Sequence, residues 1–398
     1  METHLFSSEQ ELSAAAELLR DGGLVAVPTE TVYGLCVNGL DETAVAALYE
    51  VKGRPEVKPL SLMVDGSEAL TRYAVDVPPA AHALARKFWP GPLTIVLKAK
   101  DIVPAIVRAG QATVGLRCPD HPLTLALLKQ VQLPLAGPSA NPSGQPSPKT
   151  AETVLAYFDG RIHAVIDGGP CGLGTESTLL DMSTVPYRIL RQGALSEEAI
   201  DAALVDTLRI VGLTGGTGSG KTTVLRYLTD RGALGLDCDE IYHQLLLSCT
   251  PMLSELEACF PEAFIGGTLD RKRLGALVFA DEDALAELNA ITHRYVKAEV
   301  ARRLRAFARE GGATAVIDAI ALFESGLAEM CDITVGVTAD REVRMRRIMA
   351  REGISEEYAR SRIDAQRPDS YFTAHCGHVL TNNGTVEKLT QQCRALFE

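Results

Sequence analysis

The run Gly215-Gly216-Thr217-Gly218-Ser219-Gly220-Lys221-Thr222 constrains this chain more than any other stretch. An apolar segment, Leu208 to Leu213, precedes it and reads as a buried strand; Thr223 to Arg231 follows and reads as a helix. Strand, G-x-x-x-x-G-K-T and helix, in that order, are what a phosphate-binding loop needs. The glycines let the backbone curl so that its N–H groups converge on an anion, and the helix N-terminus adds partial positive charge. The spacing predicts that Gly215 to Thr223 wrap the phosphates of a nucleotide, that Lys221 reaches the outer ones and that the Thr222 hydroxyl holds Mg2+. Such a loop opens a nucleotide-binding domain, yet residues 1 to 205 stand before it.

A chain of 398 residues is long enough for two cores. Its 46% hydrophobic and 23% charged residues are those of an ordinary globular protein. No apolar run approaches the roughly 18 residues of a membrane span, and METHLFSSEQ carries no basic, apolar leader, so no membrane association and a cytoplasmic location are expected. The net charge of −12 divides into −7 up to residue 205 and −5 beyond it. Neither half has the basic excess of a protein held mainly by nucleic-acid phosphates, so any anion site is local. Nine scattered cysteines without a C-x-x-C pair indicate neither a zinc site nor a disulfide framework.

In residues 1 to 205, Ser8 with Glu11 signals a helix start, and Leu12, Ala15, Ala16 and Leu19 share one helical face. Leu24 to Val27 reads as a strand entering the polar loop Pro28 to Gly34, and Asp41 caps a second helix through about Val51. Lys52, Arg54 and Lys58 then lie within seven residues, either as a polyphosphate clamp or as a solvated loop. Three more loops are rich in polar or charged groups: Arg117 at the end of a strand, Ser139 to Ser143, and the glycine-rich run that ends at Glu176-Ser177-Thr178. Spacing alone leaves open whether these converge on one cleft.

PTETVYGL, KGRPEVKPLSLMV, FWPGPLTIVL, VGLRCPDHP, GPSANPSG, ESTLLD and ILRQG occur here in the order seen in YrdC-type threonylcarbamoyl-AMP synthases, which residues 5 to 200 resemble. The resemblance implies a twisted open α/β sheet over residues 1–205 with a concave basic cleft. It also implies condensation of L-threonine, bicarbonate and ATP to threonylcarbamoyl-AMP and pyrophosphate. By that resemblance Lys52, Arg54, Ser139 and Asn141 hold the triphosphate, with Lys58 beside them at a position that varies among relatives. Arg191 sits at the nucleotide, and Thr31, Arg117 and Ser177 hold threonine, Arg117 pairing with its carboxylate. Transfer onward to tRNA would belong to a separate transferase.

In residues 206 to 398, Gly232 to Asp239 reads as a second strand delivering Asp237 and Asp239 to the ligand edge of a doubly wound sheet, or else as a helix cap. Ala315 to Asp318 is a strand ending in a carboxylate suited to hold Mg2+ through water, and Ile333 to Val337 is another strand. His293 lies on a helical pattern, where a structural role competes with a functional one. Arg341 to Arg351 is an arginine-rich helix on which Arg347 and Arg351, at i and i+4, either face solvent or close over phosphates.

IVGLTGGTGSGKTT, LDCDEIYHQLL, TLDRKRLGALVF, LNAITH, DAIALFESGL, MRRIMAREGIS, the run ending in Gln366, and LTNNG make residues 206–398 resemble dephospho-CoA kinase. The resemblance implies a P-loop domain with a doubly wound parallel sheet that phosphorylates the 3'-hydroxyl of dephospho-CoA from ATP. Lys221 and the loop would bind phosphate, Asp239 would act as base, Arg347 and Arg351 would form the lid, and Asn382 and Asn383 would lie near the adenine. Ile320 and Ala321 depart from the family's Pro-Leu, and Arg294 from the Pro after His293. Phe372, Cys376-Gly377 and Thr381 replace the usual Lys, Ala-Asp and Asp. Two other classes of reading are an RNA-binding module in the first half, and in the second a kinase of another nucleoside-like acceptor or an ATP-binding domain without turnover. The sequence assigns no oligomeric state.

Overall fold

Ten strands form one mixed sheet in the first half, in the computed structural model, which describes residues 2–278 and 281–398. The chain divides into two compact units, Met1–Thr207 with Arg309–Gly311, and Leu208–Ala308 with Gly312–Glu398.

The first unit's sheet runs, in order, His4–Phe6, Ala164–Ile166, Val25–Val27, Gly34–Asn38, Leu135–Ala136, Ser61–Met63, Thr113–Arg117, Leu93–Lys98, Thr178–Asp181 and Arg188–Arg191. The helix Leu12–Arg20 buries Leu12, Ala15, Ala16 and Leu19, the face its periodicity marks. The Glu11 carboxylate precedes it and accepts from the N–H groups of Ser7 at 2.9 Å and Ser8 at 3.0 Å. This helix packs with Val25, Leu127, Leu128 and Ile166 in a continuous apolar cluster. The site is set by where elements stop. Arg117 ends one strand and Arg191 another, Ser177 precedes a third, and Lys52 ends the helix Glu42–Lys52. In-register pairing of Met63 with Arg117 and of Leu93 with Thr178 brings several of these ends to one edge.

The second unit has a five-stranded sheet, all parallel: Leu234–Asp237, Thr314–Asp318, Arg209–Thr214, Ile333–Thr338, His378–Thr381. The register pairs Asp237 with Asp318 and Asp318 with Leu213, so two carboxylates and the phosphate loop share the C-terminal edge. That edge is where open α/β sheets bind ligands. A helical subassembly of Cys238–Ser248, Thr250–Cys259, Arg271–Val278 and the 28-residue Glu282–Arg309 adds its own apolar cluster around Met252, Leu256 and Ile291.

One element differs from expectation. The second strand stops at Asp237, whose side chain accepts from the N–H groups of Asp239 at 2.9 Å and Glu240 at 3.1 Å. Those amides have no partner inside the helix, and Asp237 is its cap; Asp239 is therefore in the first turn of a helix and not on the strand. The helix ending in Lys52 is capped likewise: Asp41 accepts from Thr43 N at 2.9 Å and Ala44 N at 3.2 Å. Asp41→Ala should cost about 1 kcal/mol, read as a lower denaturation midpoint for the first unit, with Asp41→Ser recovering most of it.

Candidate active sites

The phosphate loop of the second unit is held from outside as well as by its own glycines. Gly215 has φ +142°, and a Cβ there would lie 2.3 Å from the Val337 carbonyl; one on Gly216 would lie 2.1 Å from a guanidinium nitrogen of Arg344. Arg344 is buried and donates to Thr217 O at 3.0 Å, Gln366 Oε1 at 2.8 Å and Asp369 Oδ1 at 3.3 Å. Gln366 closes the ring, accepting from Thr217 N at 2.8 Å and donating to Thr217 Oγ1 at 2.6 Å. The sequence reading passed over Arg344; its one signal was its place one turn before Arg347 on the same helix. Lys221 Nζ donates to Gly215 O at 2.9 Å, folded back over the loop. The Ser219 hydroxyl is buried and without a partner among the described residues.

The residues expected at the lid and adenine also meet this loop. Asn382 is buried and donates to Ser219 O at 2.8 Å, while Arg347 reaches Asn382 Oδ1 at 3.2 Å and Gly218 O at 3.4 Å. Asn383 Oδ1 accepts from Asp340 N at 2.7 Å. Arg351 is exposed and bonded to Glu352.

Beside the loop stand Asp318 and Asp239. Asp318 is buried, makes no side-chain hydrogen bond among the described residues, and has its carboxyl pushed up to about 6 by burial, with Lys221 pulling the other way. Withdrawal from water and the neighbouring Asp237 raise the Asp239 carboxyl too, against the pull of Lys221 and His243. Asp239 lines a cavity of about 660 Å³ with Tyr242, Arg271, Asn289, His293 and Ile320. Burial holds His293 below the usual imidazole range. Of the residues that depart from the kinase pattern, Ile320 and Ala321 line this cavity. The others are engaged elsewhere. Phe372 is buried against Gly336, Arg294 pairs with Glu255, Gly377 N donates to Thr334 Oγ1 and the Thr381 backbone bonds Gln392.

The first unit has a cavity of about 360 Å³ lined by Arg54, Lys58, Arg117, Ser139, Ser177 and Arg191 among others. Six residues from five segments of the chain thus share one space. Lys52 does not line it: the side chain is buried behind the Ser139–Asn141 loop, its ammonium donating to the carbonyls of Ser139 and Asn141. Burial first, then Arg54, pulls the Lys52 ammonium down to about 7. Asn141 donates to Pro142 O at 3.1 Å and Gln145 O at 2.6 Å, and its buried Oδ1 has no partner among the described residues. Arg117 Nη2 donates to Thr31 Oγ1 at 2.8 Å and its Nε to Gly91 O at 3.4 Å, and the guanidinium forms an ion pair with Glu30, Nη2 to Oε2, at 2.8 Å. Its Nη1, with no partner among the described residues, is the edge left for a ligand. Thr31 is fully buried beneath it, sharing a 2.8 Å hydrogen bond with Thr29. Ser177 Oγ pairs with Thr94 Oγ1 at 2.7 Å, and Arg191 donates to Ser177 O at 2.9 Å. Glu30, which sets the Arg117 fork, was not singled out from sequence, because nothing local ties it to a residue 87 positions on.

The Sua5/YciO/YrdC family model, described as telomere recombination, matches residues 17–193, and the dephospho-CoA kinase model matches residues 209–388. A relative of the first half in Mycobacterium tuberculosis strain CDC 1551 is 34% identical over 200 residues, 50% of this chain and 92% of its own length. The dephospho-CoA kinase of Geobacter sulfurreducens is 37% identical over 192 residues, 48% of this chain and 98% of its own. The chain belongs to the threonylcarbamoyl-AMP synthase family through its first half and to the dephospho-CoA kinase family through its second. A solved structure of Pyrococcus abyssi Sua5 complexed with L-threonine superposes with a TM-score of 0.50 at 26% identity, covering 88% of this chain and 98% of that one. The first curated synthase relatives are longer, and this chain spans between 53% and 58% of their length. No described helix is long and apolar enough to cross a membrane.

In the kinase half, the raised Asp318 carboxyl has a stability consequence. A folded pKa of about 6 against the ordinary value of 3.8 means that the native state binds the proton more tightly, so stability is lost as pH rises from about 4 to 6. Asp318→Asn removes that cost. It should stabilise the ligand-free protein at pH 8 by up to about 3 kcal/mol, with the gain vanishing at pH 4, as read by denaturation midpoints at the two pH values.

Proposed function

We propose that the chain is a bifunctional cytoplasmic transferase. Its first half converts L-threonine, bicarbonate and ATP to threonylcarbamoyl-AMP and pyrophosphate; its second phosphorylates the 3'-hydroxyl of dephospho-CoA. The observation that carries the reading is that six cationic and hydroxyl residues line one cavity in the first half, and that in the second Asp239 lines a cavity while Lys221 is near enough to Asp239 and Asp318 to pull down the proton affinity of both.

In the synthase half, Arg54, Lys58 and Arg191 hold the triphosphate, and Lys52 acts through the Ser139–Asn141 loop that it supports. Arg117 takes the threonine carboxylate on its Nη1 edge, with Thr31 beneath the guanidinium and Ser177 beside the ligand. The amine of threonine attacks the carbon of bicarbonate, water is lost and a carbamate results; a carbamate oxygen then attacks the α-phosphorus, and pyrophosphate leaves. Such a step requires alignment and charge neutralisation, with no protein nucleophile. Delivery to tRNA adenosine belongs to a separate threonylcarbamoyl transferase.

In the kinase half, Asp239 orients the acceptor hydroxyl and takes its proton as the oxygen attacks the γ-phosphorus, and ADP leaves. Lys221 swings from the Gly215 carbonyl to the phosphates, and the loop amides hold them. Arg347 and Asn382 brace the loop, Arg351, exposed and paired with Glu352 in the ligand-free protein, exchanges that partner for the γ-phosphate, and Asn383 fixes the turn near the adenine. Among the described residues no three His, Cys, Asp or Glu cluster as a metal cage. A buried carboxylate without a hydrogen bond, at the sheet edge that the phosphate loop shares, instead suits Mg2+, which takes one or two protein oxygens and keeps its water. Thr222 and, through water, Asp318 would hold it. Once bound, it supplies charge neutralisation on the β- and γ-phosphates.

Lys221→Ala should lower CoA formation from dephospho-CoA by at least about 100-fold and leave threonine-dependent pyrophosphate release within twofold. Arg54→Ala combined with Arg191→Ala should do the reverse. Both activities are measured on the same full-length preparations; equal loss of the two in either variant would contradict separate sites.

A further inference from the structure

The synthase cavity is lined by four cations, Arg54, Lys58, Arg117 and Arg191, and among its described lining residues there is one carboxylate, Glu176. A pocket meant only for phosphates and a carboxylate is weakened by an anion in its wall, since like charges disfavour each other at short range. Glu176 is not there to balance Arg117, because Glu30 already does so at 2.8 Å. Nor is it in a salt bridge with any described residue. The Ser147 hydroxyl donates to Glu176 Oε1 at 2.7 Å, and Oε2 has no hydrogen-bond partner among the described residues. Ser147 holds the carboxyl below the usual carboxylate range, so it is charged at neutral pH. The backbone is pinned: Glu176 O accepts from Ala194 N at 2.9 Å, and the adjacent Ser177 is tied to Thr94 and Arg191. A charged acceptor is thus fixed between the Arg117–Ser177 end of the cavity and Arg191.

Resting on the threonine reading of this half, we propose that Glu176 is a substrate-binding residue that accepts N–H from the amino nitrogen of the amino acid, and so selects an α-amino acid over other carboxylates. An α-amino acid needs a donor for its carboxylate and an acceptor for its nitrogen; Arg117 Nη1 is the first and Glu176 Oε2 the second. The contact survives the first chemical step, because the carbamate keeps one N–H. Anchoring that N–H on an anion turns the carbamate oxygens away from it, toward the cationic arm where the α-phosphate lies.

The test uses full-length protein and initial rates of pyrophosphate release, with Glu176→Ala and the isosteric Glu176→Gln, whose folding is checked by thermal melting. The probe is (2S,3R)-2,3-dihydroxybutyrate, threonine with a hydroxyl in place of the amine. Expected is a rise in KM for L-threonine of about tenfold or more in Glu176→Ala, smaller in Glu176→Gln, with KM for ATP and the Mg2+ requirement within about twofold. The inhibition constant of the hydroxy acid should stay nearly constant, so the preference for the amine narrows by the same factor. An unchanged threonine KM overturns the proposal. So does a change confined to ATP or Mg2+, which would make Glu176 a ligand of the triphosphate's cation. Absence of threonine-dependent pyrophosphate release in the unsubstituted protein would instead overturn the synthase reading itself.

Discussion

A cation withdrawn from water has to be met by acceptors, and both ligand sites are built on that requirement. Three lysine or arginine residues are buried among the described residues, Lys52, Arg117 and Arg344, and each ties a ligand loop to the fold. Lys52 gathers the carbonyls of Ser139 and Asn141; Arg117 gathers Thr31, Glu30 and Gly91; Arg344 gathers Thr217, Gln366 and Asp369. Removing such a cation leaves several buried acceptors unpaired, which costs more than the bonds themselves return on folding.

The kinase half adds the opposite arrangement, anions kept short of partners. Asp237, Asp239 and Asp318 lie together at this edge of the sheet; Asp237 raises the proton affinity of the other two, and Asp239 that of Asp318. Lys221 is the nearby cation, and in the ligand-free protein it is bonded to the Gly215 carbonyl and not to a carboxylate. The edge therefore stores a repulsion that a bound cation relieves. On the proposed reading, stability given up here would be the counterpart of affinity for a metal–nucleotide complex.

How legible this was follows from the range of the interactions involved. Helix faces such as Leu12, Ala15, Ala16 and Leu19, the cap at Asp41 and the strand before Gly215 rest on local rules, and they are found where the residues put them. Asp237 was harder, since a strand end and a helix cap demand the same residue type there. The buried networks were not legible: Glu30 with Arg117, and Gln366 with Thr217, join residues 87 and 149 apart, and nothing in either neighbourhood announces the other. Lys52, Arg54 and Lys58 look alike in sequence, yet one is buried behind a loop and two line the cavity. Only the direction of the helix ending at Lys52 separates them.

On the proposed reading, the two halves would hold phosphate by different physical means. The kinase loop offers backbone amides at a helix N-terminus, a field that depends on its glycines: at Gly215, with φ +142°, a Cβ would come within 2.3 Å of the Val337 carbonyl. The synthase cavity has cationic side chains on separate loops, of which Arg54 bonds the carbonyl of Pro59 and Arg191 that of Ser177. Charge delivered by side chains tolerates backbone drift but depends on every loop anchor. This is why the buried cations matter more in the first half: its site has no rigid helix end to fall back on, and Lys52 and Arg117 supply that rigidity from behind.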